Sequence, residues 1–118
     1  MIYASEVINI LENNFPLSFQ ENYDNSGLQI GNKNTEVNSI LITIDITEQV
    51  IDEAISLGAN LVISHHPLIF NPIKKISGES YIDRIIIKAI RNDIVLYSVH
   101  TNADNLITGV NEKICKKN

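Results

Sequence analysis

The stretch "SILITIDITEQVIDEAISLGANLVIS", Ser39 to Ser64, decides the fold. Its opening "SILITID" is a run of aliphatic and β-branched residues, the composition of a buried strand. Thr47 then suits the N-cap of a helix, "EQVIDEAISLG", because its hydroxyl can accept an otherwise unsatisfied N–H of the first turn. Gly58 suits the left-handed residue that closes that helix, and "ANLVIS" is a second buried strand. Strand, crossover helix and strand form a right-handed parallel unit. Downstream the pattern repeats, with a long loop "HHPLIFNPIKKISGES", a helix "YIDRIIIKAIRND" and a third strand "IVLYS". A turn, "VHTNADNLITG", leads to a short last helix, "VNEKICKKN". Upstream, "YASEVINILENNFP" places Val7, Ile8, Leu11 and Phe15 along one side of an amphipathic helix that Pro16 should stop. Between that helix and Ser39, "ENYDNSGLQIGN" is expected to be loop with a short strand. The fold class is therefore α/β, a mainly parallel sheet with helices on both faces, and the expected organisation is one domain over residues 1–118.

Composition narrows the function classes. The 118 residues are 44% hydrophobic and 19% charged, the balance of an ordinary globular protein. A formal net charge of −5, with no basic stripe, argues against nucleic acid as a partner. One cysteine, Cys115, cannot form an internal disulfide and is expected in core packing. No run approaches the ~18 apolar residues of a membrane helix, and the first residues lack the pattern of a signal peptide, so the expectation is no membrane and a reducing cytoplasm.

In an open parallel sheet, the loops leaving the carboxyl ends of neighbouring strands converge on one crevice. Asp45 ends the first strand of the regular pattern, His65 and His66 leave the second, and His100 and Asp104 lie in the loop leaving the third. All three histidines of the chain fall at that edge. Imidazoles and carboxylates gathered there suit a divalent metal such as zinc, iron, manganese or cobalt. Successive side chains on a flat strand point to opposite sides, so His65 and His66 are expected to serve two neighbouring ions rather than one, with the carboxylate of Asp104 able to bridge them. Pro67 should stiffen the exit from the pair. Other roles are open at several positions. A histidine at a strand end, such as His100, can be a hydrogen-bonding residue of the fold. Asp45 can cap the following helix or join the site, and Asn25 sits in "YDNSG", an ordinary turn sequence.

"YDNSGLQIG", "SHHPLIF" and "HTNADN" followed by "GVN" resemble the signature segments of the Nif-three-like dinuclear-metal family, also called GTP cyclohydrolase I type 2 homologues. The resemblance runs through nearly all of the chain, with the blocks in the family's order, and covers the N-terminal half of a longer family member. It implies that His65, His66 and Asp104 bind a pair of divalent ions, with His100 near the site. It also implies an α/β fold, a homo-oligomer in the form of a toroidal hexamer, and a nucleotide or related small molecule as substrate. Two departures stand out. Tyr23 occupies a position where the family usually has tryptophan. The His and Glu of an H-x-x-x-E motif, which complete the family's site from a C-terminal half, have no counterpart among the 118 residues.

Two function classes follow. One is a metal-dependent hydrolase, in which two ions polarise the substrate and activate water; "SGLQIG" does not have the arrangement of a phosphate-binding glycine loop. The other is a non-enzymatic metal-binding assembly module, or a half-site that needs a C-terminal partner, because three protein ligands are few for two ions.

Overall fold

The computed structural model describes residues 1–14, 25–69 and 71–99. Its elements are α1 (Ala4–Asn14), β1 (Gly27–Ile30), β2 (Ile40–Thr43), α2 (Glu48–Leu57), β3 (Leu61–Ser64), α3 (Tyr81–Arg91) and β4 (Val95–Ser98). Both expected caps of α2 form. The Thr47 hydroxyl accepts the Val50 N–H at 3.1 Å, and Gly58 takes φ 71° at the C-terminus. Helix α3 is capped alike, with Ser80 accepting from the Asp83 N–H at 3.1 Å.

The four strands make one sheet in the order β1-β4-β3-β2. β2, β3 and β4 run parallel, as the strand-helix-strand repeat requires, with Thr43 opposite Ser64 and Ser64 opposite Ser98. β1 corrects the expectation of a mainly parallel sheet, because it pairs antiparallel with β4 and makes the sheet mixed. The physical reason is connectivity. Only strands joined by crossover helices are driven into parallel pairs, whereas β1 is reached from α1 and is free to add to the outer edge in the other direction. Its register slips between Leu28 and Ile30, so that Gln29 is the extra residue of a bulge. Gly31, just after it, has φ 109°, and a Cβ there would sit 2.9 Å from Val95 Cγ2, too close for any side chain.

Alternation along the central strands builds two cores. Val62 and Leu96 face α2 and α3, joining Ile51, Ala54, Ile85, Ile86 and Ala89. Leu61, Ile63, Val95 and Tyr97 face the other way, against Ala4 and Ile8 of α1. Each fully buried Leu or Ile contributes about 1.5–3 kcal/mol by leaving water. Helices therefore cover both faces, α2 and α3 one of them and α1 the other. Among the described residues, no helix is long and apolar enough to cross a membrane.

Candidate metal centre

Three parallel strands end in a row of hydroxyls, Thr43, Ser64 and Ser98, which are register partners across the sheet. Beyond that row lie the residues of interest. Because β1 is antiparallel, it begins where the others end: Gly27 pairs with Ser98, which puts Asn25 at the same edge. The Asn25 amide donates to the Ile69 carbonyl at 2.7 Å. Gln29, turned by the bulge, accepts the Ile69 N–H at 3.1 Å and donates to the Asn25 carbonyl at 2.7 Å. Together these two side chains tie β1 to the loop that leaves the histidines.

The backbone of the histidine pair is fastened on both sides. His65 N–H donates to the Thr43 carbonyl at 3.2 Å and His66 N–H to the Ile44 carbonyl at 2.9 Å. Ser98 Oγ donates to the His65 carbonyl at 3.3 Å, and Ser64 Oγ to the His66 carbonyl at 2.8 Å. Ser64 Oγ also lies 3.5 Å from the Tyr97 carbonyl. The chain bends at His65 and His66. The imidazoles consequently do not stand on opposite sides as on a flat strand. Their ring centroids are 4.9 Å apart, with the planes tilted by 52°. This corrects the alternation argument, which assumes an extended backbone: the N–H groups of both His65 and His66 reach the β2 side, so the chain has turned between them.

Asp45 does not cap α2, since Thr47 does. Its Oδ1 lies 2.5 Å from His66 Nδ1, between two exposed side chains. An Nδ1–H donated to that carboxylate sets the tautomer in which Nε2 carries the lone pair, the form a metal needs. The donor set of two adjacent imidazoles with an orienting carboxylate suits a borderline divalent ion. Among the described residues, no three His, Cys, Asp or Glu side chains are grouped so as to hold one. Asp104 and His100 lie outside the described residues, as do Cys115, Tyr23 and the expected last helix. Next to the loop, a cleft of about 610 Å³ has an apolar floor from Ile30, Ile69, Ile73 and Ile86, with Lys74 and Lys75 on its wall.

Sequence reasoning did not single out Ser64, Ser98 or Gln29. The signal for the serines is that "LVIS" and "IVLYS" both close an apolar strand with the same small hydroxyl. For Gln29 it is a lone polar side chain within "GLQIG".

The family model described as Duf34/NIF3 (NGG1p interacting factor 3) matches residues 2–117. The chain belongs to the Duf34/NIF3 family. A Clostridium perfringens relative named GTP cyclohydrolase 1 type 2 homolog is 41% identical over 110 residues, covering 93% of this chain and 42% of the relative. A Halalkalibacterium halodurans protein of the same name is 43% identical over 106 residues, covering 90% of the chain and 28% of its own length. Among solved structures, a Bacillus cereus protein related to NIF3 superposes with a TM-score of 0.81 at 48% identity, covering 86% of this chain and 28% of that one. Reduced HcgD from Methanocaldococcus jannaschii gives 0.79 at 34% identity, covering 86% and 40%. This NIF3 chain thus spans less than half the length of the relatives it matches.

Proposed function

We propose that this NIF3 chain carries the histidine side of a divalent-metal-dependent hydrolase of the GTP cyclohydrolase type 2 homologue kind, acting on a nucleotide or related small molecule. The observation that supports it most is the convergence of His65 and His66 at the carboxyl edge, with Asp45 on His66 Nδ1. His65, His66 and Asp104 would hold two ions of zinc, iron or manganese. With their rings 4.9 Å apart the two imidazoles can reach one ion or two neighbouring ones, and the two-ion reading rests on the family resemblance and on Asp104 as a bridging carboxylate. When bound, such ions supply Lewis acidity that polarises the substrate and activates water near neutral pH. The chain's own side chains do the rest: Asp45 orients His66, Asn25 and Gln29 hold the loop, and Lys74 and Lys75 offer positive charge to a phosphate in the adjoining cleft. Further ligands would come from the part of the protein that longer relatives have and this chain does not span.

A homo-oligomer working in the cytoplasm, a toroidal hexamer by family resemblance, belongs to the same proposal. Ile40 and Ile42, exposed on β2, which is an edge strand among the described residues, support it, since an uncharged apolar edge invites pairing. The second reading, a metal-binding assembly module without turnover, is supported by the small ligand set, since three protein ligands are few for two ions.

Metal content and GTP turnover in added zinc or manganese decide between them. Metal-dependent turnover that His65→Ala or Asp104→Ala abolishes supports the hydrolase. Tight metal binding without turnover supports the module. No binding of any divalent ion at millimolar concentration would remove both.

A further inference from the structure

We infer that Ser64 and Ser98 are positioning residues whose hydroxyls impose the bend that brings the two adjacent imidazoles together. The inference rests on the metal-site reading for its purpose, though its geometry stands independently. Ser64 is 1% exposed and Ser98 0%, so neither hydroxyl is there to meet solvent. A buried hydroxyl must spend its hydrogen on an acceptor, and here each hydroxyl reaches the main-chain carbonyl of one histidine. With the two N–H groups already committed to Thr43 and Ile44, all four polar backbone groups of the dipeptide are held from neighbouring strands or from Ser64.

Geometry shows why two hydroxyls are needed. The His65 N–H bond to Thr43 continues the parallel ladder, but the His66 N–H, which in an extended strand would face β4, also reaches the β2 side at Ile44, so the chain has turned between the two residues. The Ser64 bond, from one residue to the carbonyl two ahead, is a local turn contact that competes with extension. The Ser98 bond enters from β4 and fixes the His65 carbonyl while the chain turns. Alanine at Ser64 would remove the turn contact, so the rings would separate, and alanine at Ser98 would release the His65 carbonyl and loosen the turn in part.

The test uses the full chain and two readouts. In the metal-free protein, nuclear Overhauser contacts between the His65 and His66 ring protons should be present in the wild type and lost in Ser64→Ala, with partial loss in Ser98→Ala. Co2+ titration should show a fall in affinity of about 10–100-fold for Ser64→Ala, the usual effect of losing a group that orients a ligand. Ser64→Thr, which keeps the hydroxyl, should restore both. A folded Ser64→Ala protein with unchanged ring contacts would overturn the inference, whatever happens to its stability. If Ser64→Ala does not fold, Ser98→Ala decides on the same ring contacts. Should the wild type bind no Co2+, the metal reading fails, and the ring contacts alone still decide the positioning role.

Discussion

β2 and β3 end in the same way and live in different surroundings. Thr43 Oγ1 donates to the Asp45 carbonyl at 3.0 Å, and Ser64 Oγ donates to the His66 carbonyl at 2.8 Å, each to the carbonyl two residues on. The two bends deliver Asp45 and His66 to one another. Yet β3 is buried along its whole length, whereas β2 is an edge strand with two exposed residues. Local chemistry can thus repeat a turn at two strand ends, but the environment decides how firmly each turn is held. One partner of the Asp45–His66 pair follows a buried central strand of the sheet and the other a half-exposed edge strand.

The largest test of that contrast uses the register partners Ile42 and Ile63. Ile63 is 9% exposed against α1 and Ile42 is 76% exposed. Ile63→Ala should cost about 2–5 kcal/mol by lost burial and a cavity, while Ile42→Ala should stay within about 0.5 kcal/mol. Urea unfolding of the two variants reads the difference, and equal losses would mean that β2 is covered in solution.

β4 extends the contrast to pH. The Tyr97 hydroxyl donates to Glu12 at 2.9 Å from a ring with no exposed surface. Burial first, and the hydrogen bond to Glu12 next, raise the phenol above its usual pKa of 10.0. As pH rises past about 10, the unfolded chain releases this proton while the folded one keeps it, so the native state binds more protons and stability falls. The stabilisation is complete below the unfolded value and is lost as pH climbs toward the folded one. Tyr97→Phe should cost about 1.5 kcal/mol near pH 7 and flatten the decline in stability above pH 10. An unaltered alkaline slope in the variant would assign that slope to other groups.

Much of this architecture is legible in "SILITIDITEQVIDEAISLGANLVIS". A helix cap at Thr47, a left-handed Gly58 and two apolar runs leave few alternatives to a parallel unit. β1 is less legible, because four residues interrupted by Gln29 carry no period, and its direction follows from how the chain arrives rather than from its composition. At the site, sequence places His65, His66 and Asp45 at one edge, since strand ends are readable. It misjudges the rings, because alternation holds only while the strand stays straight and the bend depends on a hydroxyl within the strand. Ser98 shows the same limit, as its part is visible only once β4 lies beside β3.

Ser64 and Thr43 make the comparison at the scale of one hydrogen bond. Ser64→Ala should cost about 1 kcal/mol, the usual net value of an internal hydrogen bond. Thr43→Ala, at a half-buried strand end whose hydrogen bond to Asp45 is open to water, should cost less than about 0.5 kcal/mol. Similar losses at both positions would mean that burial adds nothing to the turn.

Asp45 gives the smallest effect on stability and the sharpest view of the site. Its pair with His66 is 63% exposed on the carboxylate side, and surface pairs of this kind are worth about 0–1 kcal/mol. Asp45→Ala should therefore move the unfolding midpoint little. The carboxylate sits on Nδ1, however, and so selects which nitrogen of His66 bears the proton in the neutral ring. Nitrogen-15 spectra of the imidazole at a pH where the ring is neutral should show Nδ1 protonated in the wild type and a mixture of tautomers in Asp45→Ala. A tautomer that survives the substitution would make Asp45 a bystander at the margin of the sheet. A shifted tautomer in a protein of unchanged stability would mean that the edge strand contributes direction to the histidine rather than strength to the fold.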